Sequence, residues 1–116
     1  MIKNENQELE VLTKLAEAYT NYDASIIEPF LADDVHYASM WVFQELTSKS
    51  EYLDYLKGKL ATMKAYHTEF NFEIVPGRMH QKALLASRDD GGCGFVVDFD
   101  ENNKVKMINM TAPAFF

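Results

Sequence analysis

A chain of 116 residues with 47% hydrophobic content has enough apolar material for one domain, expected to span 1–116, and too little length for two. Its formal charge of -7, with Lys and Arg scattered rather than in runs, argues against the phosphate attraction on which nucleic-acid affinity rests. Met1-Ile2-Lys3-Asn4-Glu5-Asn6-Gln7 is polar where a secretion signal needs an apolar core, and no apolar stretch approaches the ~18 residues of a membrane span. A cytoplasmic protein without membrane or nucleic-acid partners is expected, and the lone Cys93 fits a reducing compartment.

Leu9, Leu12, Leu15, Ala16, Tyr19 and Tyr22 recur at spacings of three and four, the mark of one buried helix face, with Glu8, Glu10, Lys14 and Glu17 on the other side. They predict a first helix over about 8 to 22. Asp23 suits the N-cap of a second, shorter helix reaching Leu31, made irregular by Pro29, which lacks a backbone donor. Val35 to Phe43 follows as an aromatic strand. Ser48-Lys49-Ser50-Glu51 matches a reciprocal capping box, and Tyr52, Leu56, Leu60 and Met63 form the stripe of a third helix. From Thr68 the period becomes two: Thr68, Phe70, Phe72 and Ile74 alternate with polar residues. Pro76-Gly77 is a turn, Gln81 to Ser87 a further strand, and Arg88-Asp89-Asp90-Gly91-Gly92 a second turn. Cys93 to Phe99 and Val105 to Ala112 complete a hairpin around Asp100-Glu101-Asn102-Asn103. The result is an α+β layer in which helices cover one sheet face.

Ala32-Asp33-Asp34, set between a short apolar helix and an aromatic strand, together with this element order and length, resembles the nuclear transport factor 2-like superfamily, which includes SnoaL-like and ketosteroid isomerase-like proteins. The resemblance implies a cone-shaped (cystatin-like) fold, with three N-terminal helices packed on a bent antiparallel sheet and a ligand pocket at the open end. It also implies a homodimer through the sheet face, where Val105, Met107, Asn109 and Thr111 are expected on the convex side. Ketosteroid isomerases use an aspartate as proton shuttle, with a tyrosine and a protonated aspartic acid as donors to the enolate oxygen. In the alignment anchored on Ala32-Asp33-Asp34 those positions become Ser39, Leu15 and Phe95, which supply neither a base nor two donors, so that chemistry is not expected.

With Ser39 pointing into the cone, strand alternation sends Tyr37 and Trp41 inward with it, and Cys93, Phe95, Val97, Ile108 and Met110 likewise. The expected pocket is therefore lined by Leu15, Tyr19, Tyr37, Ser39, Trp41, Tyr55, Phe95, Val97, Ile108 and Met110. Such a lining suits a small apolar or aromatic molecule held by a few hydrogen bonds, although in so small a domain the same aromatics can simply fill the core.

The remaining constellations point to no metal and no cofactor. His36, His67 and His80 fall on three elements without ligand spacing. Asp33 and Asp34 read as capping groups at a helix-to-strand corner. Asp98 to Asn109 lacks the Gly and Glu of a calcium loop, Gly91-Gly92-Cys93-Gly94 precedes a strand rather than a helix, and Cys93 reads as a buried inert thiol. Three functions stay open: a small-molecule binder without isomerase residues, a SnoaL-like enzyme on a carbonyl substrate using Tyr37, Ser39 and either His67 or Asp98, and an interaction module using the sheet face or Phe115-Phe116.

Overall fold

The fold was determined as a computed structural model describing residues 2–39, 45–76, 82–88 and 91–111. Trp41, His80 and the Phe115-Phe116 pair lie outside the described residues.

Helix α1 (Ile2–Thr20) starts and ends earlier than the expected 8 to 22 and buries Leu12, Leu15 and Tyr19 of the predicted stripe, together with Val11 and Ala18, which the stripe did not include. Leu9, expected inside, is 43% exposed, and Glu8, expected on the outer side, is buried. The helix closes with Asp23 N–H donating to Ala18 O and Tyr22 N–H to Tyr19 O, with Tyr22 left-handed at φ 53. That pairing is a Schellman cap, which satisfies carbonyls that the helix end would otherwise strand.

The expected second helix is two 3-10 turns, Ala24–Ile26 and Glu28–Phe30. Asp23 still caps the first, its carboxylate accepting from Ser25 N–H, but the missing donor of Pro29 and the early return to extended backbone at Leu31 stop a full helical turn. Strand β1 (Leu31–Ser39) therefore starts four residues sooner than the aromatic pattern suggests. Asp33 and Asp34 are exposed strand residues at a bulge rather than corner caps.

Helix α2 (Lys49–Ala65) lies between β1 and the remaining strands, so the helices are not all N-terminal to the sheet. Its cap is as predicted on one side, Ser48 Oγ accepting from Glu51 N–H at 3.1 Å, while the Glu51 carboxylate accepts from Thr47 N–H at 2.9 Å. The far end repeats the Schellman pattern, with His67 at φ 55 and Thr68 N–H donating to Met63 O.

Strands β2 (Asn71–Pro76), β3 (Lys82–Arg88), β4 (Gly91–Phe99) and β5 (Val105–Thr111) join β1 in one curled, unclosed sheet of order β1-β5-β4-β3-β2. It is not wholly antiparallel: β1 runs parallel to β5, reached by the long connection through α2, while the other three pairings are antiparallel. Asn103 (φ 61) and Asp100, whose carboxylate accepts from Asn102 and Lys104 N–H, make the tight β4–β5 turn. A register shift beside that turn rotates Val105 into the core, where it is fully buried rather than convex. Both helices pack on one sheet face over a single large core, with a small second cluster around Ala83 and Val96 on the other face. No helix among the described residues is long and apolar enough to cross a membrane.

Candidate functional site

Register decides what the concave face presents. Ile74, Leu84, Phe95, Met110 and Ser39 pair across all five strands in one row, and Phe72, Ala86 and Cys93 form the next. Tyr19 from α1 and Tyr52, Tyr55 and Lys59 from α2 stand over these rows, three helical positions apart or four so that they share a face.

At the sheet end where β3 and β5 finish and β4 begins, a hollow of about 320 Å³ opens between Lys59, Phe70, Arg88, Gly91, Gly92, Cys93 and Met110. Gly91 takes φ 137, a backbone state closed to most side chains, which leaves the rim low there. Below it lies a recess of only about 20 Å³ walled by Tyr19, Phe72, Ala86 and Phe95, with Lys59, Phe70, Cys93 and Met110 common to both spaces. A separate niche of about 40 Å³ opens between Tyr19, Tyr22 and Phe70. Among the described residues the cone is thus mostly filled by its own side chains and open at its mouth.

The filling is unusually phenolic. The Tyr37 ring packs at 5.2 Å from both Tyr52 and Tyr55, and Tyr19 at 5.4 Å from Phe95. Tyr37 Oη donates to Met110 Sδ at 3.7 Å and shares hydrogen bonds with Tyr55 and Ser39. Among the described residues the Tyr19 and Tyr52 hydroxyls, both buried, have no hydrogen-bond partner. Burial first, and then neighbouring phenols, push Tyr19 and Tyr52 above the ordinary range, and burial with the Tyr55 hydrogen bond does the same to Tyr37. All three are neutral near pH 7. Burial also raises the Cys93 thiol, against the opposing charge of Lys59.

Of the residues expected to line a pocket, Tyr19, Phe95 and Met110 do line one. Tyr37, Ser39 and Tyr55 form the adjoining hydroxyl cluster. Leu15, Val97 and Ile108 sit in the core and border none of these spaces. Trp41 is outside the described residues. Sequence reasoning passed over Lys59 and Arg88. The available signal was helical spacing, since Lys59 is four residues beyond Tyr55 and shares its face.

The three isomerase positions hold one hydroxyl, on Ser39, and two buried hydrocarbon groups, on Leu15 and Phe95. Neither the hollow nor its recess is lined by a carboxylate or imidazole among the described residues. His67 is exposed in its helix cap, and Asp98 pairs with Met107 on the other sheet face. His36 pairs with Glu45 at the surface. Among the described residues, no group of three or more His, Cys, Asp or Glu gathers where a metal could bind.

No protein-family model matches the sequence, nor does any curated protein. Solved structures do match in fold. A SnoaL-like protein of unknown function from Burkholderia thailandensis superposes with a TM-score of 0.71 at 15% identity, over 90% of this chain and 93% of that one. An NTF-2 like protein of unknown function from Burkholderia xenovorans gives 0.60 at 13% identity, over 95% and 87% of the two chains. An LEH-like epoxide hydrolase from M. tuberculosis gives 0.55 at 13% identity, over 90% and 81%. The chain therefore has the nuclear transport factor 2-like, SnoaL-like fold. Folds of this kind host different chemistries, so function has to be argued from the site.

Proposed function

We propose that the chain is a SnoaL-like small-molecule-binding protein that takes a flat apolar or aromatic ligand at the open mouth of its cone, without ketosteroid isomerase chemistry. The observation that carries this reading is the hollow bordered by Phe70, Cys93 and Met110, which adjoins the recess of Tyr19, whose buried hydroxyl has no partner among the described residues, and which is lined by no carboxylate or imidazole among them. Its volume is at the lower end of what small-molecule sites occupy, roughly 300 to 1,000 Å³. Native mass spectrometry on protein purified without added ligand tests it. A small-molecule adduct on wild type that is lost in a folded Cys93→Phe variant is the expected result. Protein that carries no adduct, and whose hollow residues do not respond to an aromatic probe, overturns it.

The same spectrum reads the assembly. We infer a homodimer through the outer sheet face, where Val75, Leu85 and Met107 are only half-buried in the single chain.

One observation favours a second reading, a SnoaL-like enzyme on a carbonyl substrate. Tyr19 Oη and Lys59 border the same recess, and a neutral phenol beside a cation is a fitting pair of donors for a developing oxyanion. Turnover would then need a base from the substrate, from solvent or from beyond the described residues.

A further inference from the structure

The mouth of the cone carries a charge that runs against the rest of the molecule. In a chain of net -7, the ionised side chains that line the hollow among the described residues are both cations, Lys59 from α2 and Arg88 from the end of β3. Among the described residues neither is paired with a carboxylate, whereas Lys14 pairs with Glu17 and His36 with Glu45 elsewhere. Each cation is instead placed by aromatic faces. Lys59 Nζ lies 5.7 Å from the Tyr19 ring centre and 5.8 Å from that of Tyr55, and the Arg88 guanidinium lies 5.5 Å from Phe70. Such contacts hold a cation in position without cancelling its charge or using up its N–H donors.

A second, independent feature points into the same space. The Tyr19 side chain is 3% exposed, borders the recess with Lys59, and has a hydroxyl with no partner among the described residues. A buried donor left unpaired costs free energy until something accepts from it. Burial keeps that phenol protonated and the neighbouring Cys93 thiol uncharged at neutral pH, so neither repels an anion.

We propose that this pocket selects organic carboxylates: a flat apolar molecule whose carboxylate meets Lys59 and Arg88, with Tyr19 Oη as a third donor, and whose body lies along Phe70, Cys93 and Met110. The inference rests on the small-molecule reading above and names the ligand class. The guanidinium fork matches a carboxylate geometrically, and Lys59 reaches it as a point charge. The chain's overall charge of -7 opposes a polyanion, which makes a single carboxylate a better fit than a phosphate ester. Gly91 and Gly92 themselves add no side-chain bulk to the rim.

The test is an amide NMR titration of the full chain with three probes of one shape, 1-naphthoate, 1-naphthamide and 1-naphthyl phosphate. Naphthoate is expected to shift Gly92, Cys93 and Met110 and to bind at least about tenfold more tightly than the amide, a preference that shrinks as salt is raised. Lys59→Met and Arg88→Met are each expected to cut that preference several-fold, and an amide spectrum as dispersed as that of the wild type shows that the variants fold. Equal affinities for acid and amide overturn the carboxylate assignment and leave the pocket standing. Binding of the phosphate as tight as that of the carboxylate overturns the assignment in favour of a general anion site. No response of the hollow residues to any probe overturns the pocket itself.

Discussion

Lys59 Nζ lies 5.7 Å from the centre of the Tyr19 ring, and the same ammonium acts on Cys93 across the hollow they share. Burial raises the Cys93 thiol and Lys59 pulls it back part of the way. Removing the cation should therefore lower the thiolate fraction. At a fixed pH near 8, Lys59→Met is expected to slow reaction of Cys93 with a disulfide reagent several-fold, because the thiolate is the reacting species. A variant reacting at the wild-type rate would detach Lys59 from the thiol.

The buried phenols divide into those that gain from their hydroxyls and those that do not. Tyr37 Oη is bonded to Met110, Ser39 and Tyr55, so Tyr37→Phe should cost about 1 kcal/mol. Tyr19 Oη and Tyr52 Oη have no partner among the described residues, so Tyr19→Phe and Tyr52→Phe should be neutral or raise stability by up to ~1 kcal/mol. Urea unfolding compares the three. A loss of about 1 kcal/mol or more for Tyr19→Phe would reveal a partner for that hydroxyl.

These contrasts also mark what the sequence could and could not convey. Local chemistry was legible: the Ser48 cap, the stripe of Tyr52, Leu56, Leu60 and Met63, and the alternation of Cys93, Phe95 and Val97 all reappear, because each depends on neighbours close in the chain. The resemblance drawn from Ala32-Asp33-Asp34 together with element order and length carried the α+β fold class, though not the placement of the helices or the parallel β1–β5 pair. What was lost depends on contacts distant in sequence. The parallel pairing of β1 with β5 joins segments about 70 residues apart, and Val105 turns inward through a register shift that no periodicity records. Arg88 reaches the pocket only because β3 ends where β4 begins, opposite α2. Leu15, Val97 and Ile108, expected in the pocket lining, are buried in the core, because facing inward does not distinguish a wall from a filled interior.

His67 and Tyr22 occupy equivalent left-handed cap positions with different attachments. His67 is exposed at φ 55, so glycine removes Cβ strain there and His67→Gly should stabilise the fold by about 0.5 kcal/mol. Tyr22, at φ 53, also donates its hydroxyl to Thr68 O at 2.8 Å and packs on the core. The same relief in Tyr22→Gly is outweighed by that lost bond and burial, giving a net loss of about 1 to 3 kcal/mol. Denaturation midpoints decide it, and a destabilised His67→Gly would show that the imidazole does more than occupy the cap.

Alkaline unfolding should report the phenol cluster directly. Tyr19, Tyr37 and Tyr52 are all raised in the folded state, chiefly by burial, whereas unfolded phenols lose their protons near pH ~10. Below that pH both states are protonated and the stability these groups contribute is fully present. Above it the unfolded chain holds fewer protons than the folded one, so stability falls as pH rises, by up to ~1.4 kcal/mol per pH unit for each phenol. Urea unfolding at a series of pH values from about 9 to 11 should show this decline. Tyr52→Phe should remove one phenol's share of the slope while leaving stability at pH 7 unchanged or slightly higher. A slope that stays the same in that variant would mean the Tyr52 hydroxyl reaches water in the native state, and the interior of the cone would then be wetter than its packing implies.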